Sequence, residues 1–176
     1  LMWLDKAEEY GSSDESRSMR KQAQQGVDAG DAILRIEFKP FSRVGLANAV
    51  QITKLLTNGD DLYGLDASNG SVLRFFLTAQ GYELDTNFNC GPGPLGSVYI
   101  GPIVDMTAMP QVNKNNATVA ALDGGGNLLY CIPGKPAVVR NLAPPNVGWG
   151  KISSISLVQD TLYVLDILGN AVWQYS

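Results

Sequence analysis

Apolar residues change their spacing near residue 40 of this chain. Before it they fall at helical intervals: Met19, Ala23 and Val27 recur every fourth position, and Ile33 and Leu34 continue roughly the same stripe. Ser12 stands ahead of the stripe with Glu15 three residues on, the pattern of a capping box with Ser12 as N-cap. The expectation is a helix over 12–36, with Leu1–Tyr10 as the end of an earlier helix in a helical hairpin. Gly26 and Gly30 weaken that helix by about 1 kcal/mol each. From Phe38 onward the pattern is that of strands. Ile52–Leu56, Leu62–Asp66 and Ser71–Leu77 are short apolar runs. Thr57-Asn58-Gly59-Asp60-Asp61 and Ala67-Ser68-Asn69-Gly70 separate them, and Asn69-Gly70 between two such runs predicts a hairpin.

These runs return. Ile152–Tyr175 aligns with Ile52–Phe75 without a gap at an offset of 100, matching Leu162-Tyr163-Val164-Leu165-Asp166 to Leu62-Tyr63-Gly64-Leu65-Asp66. A third copy lies between them as Val119-Ala120-Ala121-Leu122-Asp123 followed by Gly126-Asn127-Leu128-Leu129-Tyr130, with Ile103–Met109 as its first strand. The three aspartates are spaced 57 and 43 residues apart. The shorter interval suits a four-stranded propeller blade of roughly 40–50 residues, and the longer one carries an insertion. One such sheet cannot bury both faces, whereas stacked neighbours can. The expected architecture is therefore mainly β: residues 1–40 a short α-helical stalk, residues 41–176 a partial β-propeller of about two and a half to three blades. Such an arc is open, or it closes by pairing with another copy. The chain starts at Leu1 and stops at Ser176 directly after a strand, so a fragment is expected, with the remaining blades in a longer parent.

Composition narrows the function. Charged residues are 17% of the chain, below the roughly 25% of ordinary soluble domains, and 19 glycines suit many tight turns rather than a helix bundle. Net charge is −4 and no block of Lys and Arg exists to track phosphates, so nucleic acid is not an expected partner. No apolar run approaches the roughly 18 residues of a membrane span. There is no histidine, which removes the commonest general base and the commonest metal ligand. No catalytic residue, metal site or cofactor is assigned.

Leu162–Ser176, LYVLDILGNAVWQYS, resembles the repeat of NHL and YVTN-type propellers, whose blades carry a strand, an Asp, a Gly/Asn turn and a further strand. The match covers roughly residues 48–176. Four stretches behind the helical segment also resemble the C-terminal propeller of large bacterial membrane proteins that carry a PP2C-type phosphatase domain at the other end. They are LYGLDASNGSVLRFFLTAQGYELD at 62–85, CGPG at 90–93, LLYC at 128–131 and the LYVLD…NAVW run. That resemblance implies an extracytoplasmic sensor attached to a signalling enzyme. None of the phosphatase's metal-binding Asp motifs stands in this chain, so that activity does not carry over.

Asp66, Asp123 and Asp166 recur at equivalent positions and read as structural turn carboxylates that accept backbone N–H bonds. Gly91-Pro92-Gly93-Pro94-Leu95-Gly96 has the spacing of a dinucleotide loop, but no helix pattern follows and its prolines lack the N–H donors such a loop needs, so it reads as a connection between blades. Asn69-Gly70-Ser71 and Asn116-Ala117-Thr118 are glycosylation sequons by pattern alone. Lys54, Arg74, Lys114 and Lys135 are scattered and read as solvated. Cys90 and Cys131 follow strands of adjacent blades; a disulfide between them and a pair of free thiols are the two alternatives. The connections at Asn89–Pro102 and Pro144–Lys151 place Tyr99, Asn146, Trp149 and Lys151 as candidate ligand-binding residues, against the alternative that Tyr99 and Trp149 pack between blades. The functional expectation is a non-catalytic module that binds or senses an unidentified ligand or protein within a larger bacterial signalling protein, outside the cytoplasm. The alternatives are a propeller-fold enzyme of the lyase or lactonase type, with its catalytic residues in missing blades, and a cytoplasmic location.

Overall fold

The computed structural model describes residues 1–36, 39–42 and 45–176; Phe38, where the strand pattern begins, lies outside the described residues. Two compact units result, Leu1–Pro40 and Phe41–Ser176.

The first unit is a helical hairpin of α1 (Met2–Glu8) and α2 (Asp14–Gly30). Arg20 on α2 reaches both Asp5 and Glu8 on α1, at 2.7 and 2.6 Å. The capping box lies one residue later than the sequence pattern suggests. Ser13 is the N-cap, and its side chain and that of Ser16 each accept from the other's backbone N–H at 3.1 Å. A serine hydroxyl at N3 thus does what the Ser12–Glu15 spacing assigns to a carboxylate. The helix also ends earlier than 36. Beyond Gly30 the chain turns at Ala32 (φ 53°), and Arg35 folds back onto the nearly buried Asp28, its Nη2 donating at 2.9 Å. Ile33 and Leu34 therefore leave the stripe and are exposed.

The second unit is built of antiparallel sheets. Sheet I holds β1 (Ile52–Asn58), β2 (Asp61–Asp66), β3 (Ser71–Thr78) and β4 (Gly81–Leu84) in that order. A small hairpin follows, β5 (Gly93–Leu95) and β6 (Val98–Ile100). Sheet II is β7 (Ile103–Ala108), β8 (Val119–Asp123), β9 (Asn127–Cys131) and β10 (Val138–Asn141). Sheet III is β11 (Ile152–Val158), β12 (Thr161–Asp166) and β13 (Ala171–Tyr175).

The large sheets repeat one register. Ile52 faces Asp66, Ile103 faces Asp123 and Ile152 faces Asp166, and in each the ladder slips by one residue directly afterwards. The three hairpin turns each place one residue at positive φ: Gly70 at 69°, Gly126 at 87° and Asn170 at 46°. The uneven Asp spacing has two sources. The β7–β8 connection is longer than its counterparts, and so is the segment after β3, which makes β4 and then the β5–β6 hairpin before β7 begins.

Sheets pack face to face because each presents alternate apolar residues on both sides. Tyr63, Leu65 and Val72 of sheet I bury against Met106, Val119, Ala121 and Leu129 of sheet II. Ala120, Leu122 and Leu128, on the other face of sheet II, bury against Ile155, Leu162 and Val164 of sheet III. Each fully buried Leu or Val contributes about 1.5–3 kcal/mol. The first strands lie side by side, β7 between β1 and β11. Phe41 covers the outer end of sheet I, its ring set edge-on to Phe75 at 5.2 Å and its carbonyl accepting from Tyr82 N–H at 3.2 Å.

Candidate functional site

Each turn carboxylate ties its own hairpin to the start of its own sheet. Asp66 Oδ1 accepts from Gln51 N, just before β1, and from Ser68 N in the turn, both at 2.9 Å. Asp123 accepts from Gly101 N at 2.8 Å, from Gly125 N at 2.9 Å, and from the backbone and side chain of Asn127 at 2.8 and 2.7 Å. Asp166 accepts from Gly150 N, Lys151 N and Gly169 N at 2.8, 2.7 and 2.8 Å. All three are about 1% exposed, so every such bond is made away from water. At Asp166 the N–H groups of Lys151, Gly150 and Gly169 hold the carboxyl down to about 2, against an ordinary 3.8. At Asp66 burial pushes the carboxyl up, and the bonds from Gln51 and Ser68 outweigh it, leaving it below the ordinary value. The close approach demands glycine: a Cβ on Gly150 would stand 2.6 Å from Gly169 N and 2.7 Å from Asp166 Oδ1. Each of these carboxylates is held mainly by backbone N–H groups of its own turn and sheet entry, which suits fixing loop ends.

A second polar row crosses the inner strands. Lys54, Asp105 and Ser154 occupy the same position in β1, β7 and β11, two residues after Ile52, Ile103 and Ile152. Asp105 is 5% exposed and takes Lys54 Nζ and Met106 N on Oδ1 at 2.7 and 2.9 Å, with Ser154 Oγ and Ile155 N on Oδ2 at 2.6 and 2.7 Å. One carboxylate thereby joins three sheets. Lys54 is consequently an ion-pair partner and not simply solvated. Arg74 departs further from that expectation: it lies between Asp61 and Asp85 at 2.7 and 2.6 Å, its side chain 18% exposed. Burial works against the charged guanidinium, and the two carboxylates more than offset it, so its pKa is raised. Lys114 and Lys135 are exposed. Sequence reasoning missed Asp105, although a carboxylate inside the apolar run Ile103-Val104-Asp105-Met106 was the available signal.

The four candidate ligand residues divide. Tyr99, on β6 opposite Pro94, is 73% exposed, and Asn146 and Lys151 are exposed on the connection into β11. Trp149 is partly buried: it packs in the sheet II–III core, its ring 6.2 Å from Tyr175, and it covers Gly126, where a Cβ would meet its Nε1 at 2.6 Å. Trp149 is thus a packing residue that fixes the sheet II turn. Lys151 donates its backbone N–H to Asp166 and leaves its side chain exposed.

Gly91–Gly96 runs into the β5–β6 hairpin and opens no helix. Two shallow grooves of about 330 and 300 Å³ share Asn89, Gly91 and Pro92 as a common wall; the first is bounded by Asn69, Ser71 and Phe88, the second by Leu95, Leu129 and Ala137. Tyr99, Asn146, Trp149 and Lys151 line neither. Beneath that wall Cys90 and Cys131 form a disulfide, both sulfurs buried, which links the segment after sheet I to β9 of sheet II. Of the sequons, Asn116 is exposed in the β7–β8 connection, whereas Asn69 accepts from Ser71 N and Oγ inside its turn at 3.0 and 2.6 Å. Among the described residues no helix is long and apolar enough to cross a membrane. Comparison with family models, curated proteins and solved structures finds no match to this chain.

Proposed function

We propose that residues 41–176 are an arc of a β-propeller of about two and a half to three blades, acting as a non-catalytic binding or sensing module of a larger bacterial signalling protein. The carrying observation is repetition at the level of hydrogen bonds. Three successive sheets share one register, one ladder slip and one buried aspartate that ties the hairpin turn to the sheet's entry, and their first strands lie together. Such a clamp holds the connections rigidly at one end of the stack, and rigidly held loops are where recognition residues sit. Tyr99, Asn146 and Lys151 are the exposed aromatic, amide and cation of those connections. They suit a polar ligand with an apolar face, such as a sugar or a short peptide. The disulfide supports a location outside the reducing cytoplasm, and the phosphatase-linked stretches support attachment to a signalling enzyme.

The test is a titration of isotope-labelled protein with a panel of defined oligosaccharides and short peptides, followed by amide chemical shifts. Shifts gathered on 89–102 and 144–151, and lost in a Tyr99→Ser, Lys151→Ser double variant, are expected. Saturable shifts confined to other surfaces would end the assignment of this face.

A further inference from the structure

The two shallow grooves meet at one exposed amide. Asn89, Gly91 and Pro92 are the wall they share. At about 330 and 300 Å³, each lies at the lower end of small-ligand sites, which run from about 300 to 1000 Å³. The wall is fixed from within the arc. Cys90 is joined to Cys131 of sheet II by the disulfide, and its carbonyl accepts from Val72 N–H at 2.7 Å. Gly91 passes so close to the sheet I turn that a Cβ would stand 2.8 Å from Ser71 Cβ. A wall held in this way needs little further ordering when a ligand arrives.

The polar groups of the grooves are two amides and a hydroxyl. Ser71 donates from N and Oγ to Asn69 Oδ1 at 3.0 and 2.6 Å. That fixes the orientation of the Asn69 amide and leaves its Nδ2, with two N–H donors, open. The Asn89 side chain is exposed and has no hydrogen-bond partner among the described residues, so both its donor and its acceptor are open. Val72, Leu73 and Phe88 supply the apolar part of the first groove, with Phe88 held against Tyr63 at 5.6 Å between ring centroids. Pro94, Leu95, Leu129 and Ala137 line the second. Every residue lining the two grooves is uncharged.

We infer that the grooves take a neutral oligosaccharide, with successive rings on either side of the Asn89 wall. The inference rests on the reading that the connection at 89–102 faces a ligand, and it names the chemistry of that ligand. A sugar hydroxyl both donates and accepts, which matches the open ends of the Asn69 and Asn89 amides. The C–H face of a sugar ring covers apolar surface such as Phe88 and Pro92. A charged ligand would leave water here with no opposite charge to meet it. A peptide bound by strand addition needs N–H donors along the wall, and Pro92 and Pro94 have none.

Isotope-labelled protein titrated separately with maltohexaose, cellohexaose, N-acetylchitohexaose, hexagalacturonate and decaproline tests it. At least one neutral hexasaccharide is expected to give saturable shifts on residues 69–73 and 88–95 and on the side-chain amides of Asn69 and Asn89. Asn89→Ala removes the shared amide. Asn69→Asp keeps the oxygen that Ser71 holds and removes both N–H donors. Each is expected to weaken that sugar about tenfold, the worth of one hydrogen bond. Both positions are exposed, and circular dichroism checks that each variant keeps its fold. A variant found unfolded is replaced by Asn89→Ser or Asn69→Ser and read in the same way. Folded variants that bind the sugar as tightly as the wild type overturn the inference. So does tighter binding of hexagalacturonate or decaproline on these residues, and so does the absence of saturable shifts there with all three neutral sugars. The Tyr99→Ser, Lys151→Ser variant separates the two readings. Groove shifts that survive in it support the grooves and remove the assignment of Tyr99 and Lys151. Shifts confined to 96–102 and 144–151 that vanish in it keep that assignment and overturn the grooves.

Discussion

The second strand of the middle sheet and the second strand of the third sheet carry the same motif and meet different surroundings. In Val119-Ala120-Ala121-Leu122-Asp123 every residue is buried. In Leu162-Tyr163-Val164-Leu165-Asp166 burial alternates, because only one face has a neighbour. The motif sets what is common, an apolar strand ending in a clamped carboxylate. The neighbours set what differs. With sheets on both sides, the middle strand carries two alanines where sheet III has Tyr163 and Val164, so that both neighbours approach closely. A repeat position therefore states a role, while its place in the stack states its energetic weight.

The largest effect should come from truncating the same leucine in both places. Leu122→Ala removes a fully buried side chain between sheets II and III and should cost about 2–5 kcal/mol, read from urea unfolding. Leu165→Ala, 39% exposed, should cost well under half of that at concentrations where the chain is monomeric. Equal losses would mean that the third sheet is covered in solution by something other than solvent.

The second effect concerns how the middle sheet is held. It is cross-linked to the segment after sheet I through a closed loop of 41 residues, and no disulfide ties it to sheet III. A Cys90→Ala, Cys131→Ala double variant should lose about 2–4 kcal/mol. The comparison fails if unfolding of the double variant matches that of the oxidised protein, or if the native protein titrates two free thiols.

The smallest effect isolates the clamp of sheet III. The Asp166 carboxyl sits near 2 in the fold, below its ordinary 3.8, so the folded state favours the charged form. That contribution is fully present above the unfolded value and is lost as pH falls from about 4 towards 2. Unfolding midpoints measured over that window should show Asp166→Asn less stable than wild type at neutral pH, and the two curves should converge near pH 2. Parallel curves would show that the fold does not hold the Asp166 carboxyl below its ordinary value.

Much of the β region was legible, because the signals were local and repeated. The strand runs, the Gly and Asn turns and the equivalence of Asp66, Asp123 and Asp166 all follow from residues within a few positions of one another. The helical hairpin was legible for the same reason, although the cap moved from Ser12 to Ser13 once the Ser16 hydroxyl could reciprocate. The candidate surface was read less well. For Trp149 the sequence left a ligand role and packing between blades side by side, because an exposed and a packed aromatic are identical in sequence; its place in the sheet II–III core, with Gly126 beneath its ring, decides for packing. Arg74 looked solvated because Asp61 and Asp85 lie on either side of it in the fold and not beside it in the chain.

By itself the sequence determined that the β region is made of recurring antiparallel units with a carboxylate at each second-strand end. Alternation and turn chemistry act between near neighbours, so they are written where they are used. Only the tertiary structure decided which faces are covered, that Lys54, Asp105 and Ser154 meet across three sheets, and that Cys90 reaches Cys131. Those contacts join residues 41 to 51 positions apart, and their energy exists only once the sheets are stacked.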